Sequence, residues 1–329
     1  MMSETARINP TQALDISFSA YANKRKTEAG RHLVGGIPDY TYGVDYEMMR
    51  KINAIPGAYK LLRAIASSFV PLAKQRFNLT CMKVGPTQRP DIYEMTKDCA
   101  DRLKIGVPEV YIQHDVGVLN AFTIASEDSA PVVVITSALI ERFTPGELKT
   151  VIGHECGHIH NNHTIYNVAT NVVLGSIVLS GLPNIPGVAQ LLNVAMLPLQ
   201  LALKAWSRAS EVTADRAGLI CADDFNDAIN TEAKLLYGAM FNNESFNLDA
   251  IIKQYERIKS TPARMLELNF SHPASVRRIM AILEFMNSEV LNSWRPEKMK
   301  AGGTLTSKQE LDMRCEKFIS ITKSEKRKV

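Results

Sequence analysis

Residues 150–164 read "TVIGHECGHIHNNHT", which places four of the chain's seven histidines within ten positions, one glutamate among them. On an α-helix each residue advances about 100°, so His154 and His158 project from one face within about 40° of each other. Two imidazoles so placed can share one metal ion, and Glu155, beside the first, reaches over the ion's open side without ligating it. This is HExxH, the arrangement in which two histidines hold zinc and the glutamate is the general base. On a continuous helix His160 falls about 200° from His158, and His163 about 180° from His154. Both are therefore read as surface or supporting residues, and Cys156 as a small buried side chain.

The motif needs a helix and a third ligand. The helix is announced by "RFTPGELKTVIGHECGH", with Thr144 as N-cap, Pro145 at the first helical position and Glu147 three residues after the cap. A metzincin would carry its third histidine at 164 and a glycine at 161, where this chain has Thr164 and Asn161. A gluzincin takes a glutamate from a separate helix, with an aspartate one turn later to orient a ligating histidine. "WSRASEVTADRAGL" supplies both, as Glu211 and Asp215. The other reading of that pair is an acidic helix surface balanced by Arg208 and Arg216. Its position downstream of HExxH favours ligation.

Around these motifs the pattern is mainly helical α+β. "YKLLRAIASSFVPLAKQRF" has apolar residues at helical spacing and belongs to a helical N-terminal extension, residues 1–89. "DIYEMTKDCADRLKI" opens the next unit, 90–288, as an amphipathic helix. "PEVYIQ", "GVLNAFTIA" and "APVVVITSAL" follow as short strands, with "ASEDSA" as a hairpin loop between the last two. "KAWSRASEVTADRAGLICA" and "SHPASVRRIMAILEFM" are further helices. Residues 289–329 read as a loosely attached charged tail.

Five elements, in order, resemble the family of HtpX-like and type I CAAX prenyl protease-like zinc metallopeptidases, specifically its shorter bacterial members. They are "LNAFTI", "VVVITSAL", "HECGH", "SRASEVTAD" and "HPASVRRI", spread between about Pro90 and Phe285. The resemblance implies a zincin-like fold with a small β-sheet beside the HExxH helix. It implies one Zn2+ per chain held by His154, His158 and Glu211, with Glu155 as catalytic base and Asp215 supporting a ligand. It also places His272 and Arg278 near the site, with His272 helping to stabilise the oxyanion. The strand with Asn120, Ala121 and Phe122 would bind extended peptide by backbone pairing. Relatives that cut prenylated or membrane proteins carry long transmembrane helices, and no N-terminal pair of such helices is found here.

The expected activity is thus a zinc endopeptidase acting on extended or unfolded segments. The competing readings are a metal-stabilised peptide-binding or chaperone-like protein and an integral membrane quality-control protease. Composition narrows the rest. The 329 residues are 46% hydrophobic with a net charge of +4, enough for a real core. The basic runs "NKRK" and "SEKRKV" lack interleaved aromatics, so nucleic acid is not an expected partner. Five scattered cysteines and the lack of a secretory leader point to a reducing, cytoplasmic setting. Between His163 and Lys204 there is no charged residue. "GLPNIPG" at 181–187 divides this stretch into limbs of roughly 22 to 26 Å, short of the roughly 30 Å needed to span a membrane. Gln190, Asn193, Gln200 and Lys204 form a polar stripe, so 168–203 is read as a lid, a membrane-surface contact or a homo-oligomer surface.

Overall fold

The run "VVVIT" at 132–136 has no polar phase, and the structure buries both faces of the strand it forms. The computed structural model describes residues 32–34, 36–173, 188–238, 247–258, 273–298 and 304–320. In chain order the described elements begin with a small hairpin, β1 (Leu33–Val34) and β2 (Ile37–Pro38), then α1 (Gly43–Ala54) and α2 (Ala58–Thr80). Next come β3 (Met82–Lys83), α3 (Pro90–Arg102), β4 (Glu109–Gln113), β5 (Ala121–Ser126) and β6 (Ser129–Thr136). The helical half follows as α4 (Ser137–Arg142), α5 (Pro145–His160), α6 (His163–Val173), α7 (Val188–Cys221) and α8 (Phe225–Tyr237). It closes with α9 (Leu248–Ile258), α10 (Ser275–Met286), α11 (Glu289–Trp294) and α12 (Lys308–Ile319).

The larger sheet has the order β3-β4-β6-β5, with β4 and β6 parallel and the other pairs antiparallel. Side chains alternate along β6, so its two faces serve two cores. Val132 and Val134 pack with Leu62, Ala66, Val70 and Phe77 of α2. Val133 and Ile135 pack with Ile92 and Cys99 of α3 and with Ile152 of α5. A strand buried on both faces reads as a continuous apolar run, which explains the missing polar phase. Lys74 of α2 fastens this layer by donating to Glu109 Oε1 of β4 at 2.6 Å.

Helix α5 starts as its sequence dictates. Thr144 accepts from Glu147 N while Thr144 N donates to Glu147 Oε2, a complete capping box. The helix lies almost wholly inside the protein. It approaches α7 closely because Gly153 and Gly157 face that helix. A Cβ on Gly157 would lie 2.5 Å from Ala217 Cβ and 3.2 Å from Ala214 Cα, and one on Gly153 would lie 2.5 Å from Cys221 Cβ. This contact sets how near α7 can bring Glu211 to the histidines. Gly157→Ala should therefore destabilise the fold although alanine is the better helix former. Helix propensity favours alanine by about 1 kcal/mol, and overpacking costs about 1–3 kcal/mol, toward the upper end because neither the Ala217 Cβ nor the Ala214 Cα can move without its helix backbone. Urea denaturation should show a net loss of about 2 kcal/mol. An unchanged midpoint would mean that the helices separate without cost.

Two expectations are corrected. The C-terminal segment is not loosely attached among the described residues, since α12 buries Leu311, Cys315 and Ile319 in the main core. Arg216 of α7 is fully buried, donates to Tyr40 O and reaches Asp312 Oδ1 of α12 at 2.8 Å, tying the segment after β2 and α12 to α7. The second apolar limb of 168–203 is also not a separate element. It is the first part of α7, the unbroken helix that later carries Glu211. Residues 174–187 and the side chains of 188–196, including Gln190 and Asn193, lie outside the described residues. Beyond them Leu199 and Leu203 are buried and Leu197 and Leu201 exposed. No helix among the described residues is long and apolar enough to cross a membrane.

Candidate active site

Helical spacing brings His154 and His158 to one face of α5, and the close α5–α7 contact sets Glu211 opposite them. His154 Nε2 lies 3.2 Å from His158 Nε2 and 3.5 Å from Glu211 Oε2, and His158 Nε2 lies 3.6 Å from Glu211 Oε1. One donor atom from each residue falls within 4.8 Å of the other two. The rings stand nearly perpendicular, at 82°. Two nitrogens and a carboxylate oxygen converging on one point are a donor set that zinc accepts.

The surroundings favour a cation there. His154 Nδ1 is 3.0 Å from Asp215 Oδ1, and Asp215 also accepts from Arg278 Nε at 2.9 Å. Arg278 in turn meets Glu232 at 3.0 Å and Glu211 at 3.6 Å. Burial opposes a charge on His154, yet the Asp215 hydrogen bond and the Glu211 carboxylate outweigh it, and the ring is pushed up to about 9. Burial likewise raises Asp215, but Arg278 and His154 overcome it and hold this carboxyl below its ordinary value. Glu232 is buried and pushed up to about 7, chiefly by desolvation. The pocket thus retains a proton on His154 in the absence of another cation.

A ligating imidazole must be neutral, so if His154 is a ligand, metal uptake below about pH 9 displaces its proton. Calorimetric titration of metal-free protein with zinc near pH 7, in buffers of different ionisation enthalpy, should report about one proton released from His154 per ion. The His154 share of that release should fall as the pH is raised through about 9, where the ring is already neutral. Release of no proton near neutrality would contradict the charge assignment.

Glu155 is buried next to His154, and its Oε2 accepts from Thr123 Oγ1 at 2.5 Å. Thr123 was not singled out by the sequence, although its neighbours were. In β5 Phe122 turns toward α2, its ring 6.1 Å from that of Phe77, so Thr123 must face α5. Alternation along the strand was the available signal. Asn120 precedes β5 and is held by Thr136, whose hydroxyl accepts from Asn120 N at 3.1 Å. Asn120, Ala121 and Phe122 line the same cleft as the histidines, a space of about 1570 Å³ that α2 also lines with the apolar Phe69, Leu72 and Leu79 and the polar Gln75 and Arg76. His272 lies outside the described residues.

Neither of the other two clustered histidines belongs to the three-donor set. His160 is buried and meets Tyr40 Oη through Nδ1 at 3.0 Å. His163 does not continue α5. The helix stops at His160, Asn162 takes a positive φ of 59°, and His163 opens α6. That reversal returns its ring to His158, with the two Nδ1 atoms 3.0 Å apart.

A cleft beside a terminal strand, lined by three converging donors and by a buried carboxylate, suits a metal-dependent protease. The profile of peptidase family M48 matches residues 86–286, and the chain belongs to that family. Plastoglobule-localized metallopeptidase 48 of Arabidopsis thaliana is 28% identical over 259 residues, covering 76% of this chain and 73% of that protein. A protease HtpX homolog of Pediococcus pentosaceus is 30% identical over 114 residues, 35% of this chain and 34% of its own length. Another, from Streptococcus uberis, is 40% identical over 74 residues, 22% and 25% of the two chains. These HtpX matches are thus partial, whereas the plant metallopeptidase aligns over most of both chains.

Proposed function

We propose that this metalloprotease is a zinc endopeptidase that cuts extended or unfolded polypeptide segments, with residues 90–288 as its catalytic unit. The observation that carries the reading is the terminal strand β5 running beside a three-donor cluster and a buried carboxylate. His154, His158 and Glu211 would hold the zinc ion, which when bound polarises a carbonyl and lowers the pKa of water toward about 7. Glu155 takes the proton of the attacking water and returns it to the departing amine. Thr123 fixes the rotamer of that carboxylate. Asp215 and Arg278 hold the His154 ring, and His272 is assigned to the oxyanion.

Substrate is held by strand addition. β5 ends the sheet, and backbone pairing along Asn120–Phe122 accepts any sequence in extended form. Phe69, Leu72 and Leu79 of α2 offer apolar contacts to substrate side chains beside the polar Gln75 and Arg76, and a folded partner cannot present the strand. The 168–203 stretch keeps its proposed part as a lid, membrane-surface contact or association surface, in a protein placed in the cytoplasm or at a membrane. Mass spectrometry of casein digests tests the central assignment. Internal cleavages spread along the chain are expected, and stepwise trimming from one terminus would contradict endopeptidase action.

A further inference from the structure

The second zinc ligand has a supporting arm that reaches outside the M48 match. We propose that Asp45 and His163 are positioning residues for the metal, through which helix α1 fixes the ring of His158. The inference rests on the metal reading given above.

The chain of contacts determines where the protons sit. His158 Nε2 faces His154 and Glu211, so a ligating His158 carries its proton on Nδ1. That Nδ1 is 3.0 Å from His163 Nδ1, which must then accept. His163 therefore carries its own proton on Nε2, and this nitrogen is 3.0 Å from Asp45 Oδ2. The last contact lies off the line of a well-formed hydrogen bond, so Asp45 acts on the ring mainly as a nearby charge. One condition, ligation through His158 Nε2, thus settles both tautomers.

The carboxylate is held firmly. Asp45 and His163 are fully buried. Asp45 Oδ1 accepts from Trp206 Nε1 at 2.8 Å, and Oδ2 accepts from the Thr213 hydroxyl at 2.6 Å. Trp206 and Thr213 flank Glu211 on α7, and the Trp206 ring stands edge-on to His163 at 5.5 Å. The same helix therefore supplies the third ligand and anchors the group that orients the second. His154 is backed directly by Asp215, and His158 is backed by Asp45 through an intervening imidazole. Orienting partners of ligating histidines raise ligand basicity and lock the ring, and their loss costs about 10–100-fold in metal affinity. Asp215 lies inside the 86–286 match and Asp45 outside it. On this account the segment before residue 86 is a working part of the metal centre.

A purely structural role for Asp45 would be to dock α1. Tyr166 provides the comparison, since its hydroxyl donates to Asn53 Oδ1 of the same helix at 2.7 Å without touching a ligand. Zinc dissociation constants from chelator competition, the visible spectrum of the Co2+-substituted protein and the melting of the metal-free chain should be measured together. The set comprises wild type, Asp45→Asn, His163→Gln, their double variant and Tyr166→Phe. Asp45→Asn and His163→Gln should weaken zinc binding about 10–100-fold and alter the Co2+ spectrum. The double variant should bind no more weakly than His163→Gln, because the two residues act along one path. Tyr166→Phe should change melting alone. If His163→Gln does not fold, Asp45→Asn decides. Wild type that loads zinc while the Asp45 and His163 variants match it in affinity and spectrum would overturn the inference and leave the metal reading standing. The inference also fails if Tyr166→Phe weakens zinc as much as they do. A wild-type chain that takes up no zinc would overturn both.

Discussion

Glu155→Gln should leave zinc bound and the fold intact while lowering turnover on a disordered substrate by about 10²–10⁴-fold, the range of positioned general-base catalysis. The amide has nearly the shape of the carboxylate, and its oxygen can still accept the Thr123 hydroxyl that holds Glu155 in wild type. What it loses is the capacity to take a proton. Because the side chain belongs to none of the three donors that converge, zinc affinity should stay close to wild type. Zinc content and casein cleavage measured on one preparation separate the two effects. A variant that keeps most of its activity would remove Glu155 from the role of base.

Glu211→Ala has the other large expected effect, and it falls on metal first. Removing one of three protein ligands should cost more than the roughly 10–100-fold seen for partners that only orient a ligand, and activity should disappear with the metal. The truncation also strips Arg278 of a buried neighbour, although Asp215 and Glu232 still hold that guanidinium. Glu211→Gln is the companion variant, since it keeps the volume and discards the charge. Both should fold by circular dichroism and bind zinc weakly. Full zinc occupancy of either variant at low metal concentration would rule out Glu211 as a ligand.

How much of this was legible depended on the range of the interactions. HExxH and the Glu211–Asp215 pair could be read because helical periodicity fixes residues four apart on one face, and the capping box at Thr144 marked where the helix began. Three of the four strands of the larger sheet were legible as β-branched runs, although the strand read from Gly117 starts at Ala121 and the two-residue β3 gave no run to read. His163 was placed by assuming a continuous helix, and the positive φ at Asn162 breaks that assumption. Asp45 gave no local signal at all, because only the tertiary fold brings α1 against α6 and α7. The C-terminal helix was hidden by its charged composition. Its buried residues Leu311, Cys315 and Ile319 nevertheless recur every four residues, the spacing of one helical face.

The central claim is that His154, His158 and Glu211 hold the metal on which peptide hydrolysis depends. Stripping the purified protein of metal and returning zinc in sub-stoichiometric steps, with casein cleavage followed at each step, tests it most directly. The account predicts no cleavage without metal and activity that rises linearly to a plateau at one zinc per chain. Undiminished cleavage by the metal-free chain, or a fully zinc-loaded chain that cuts nothing, would contradict it.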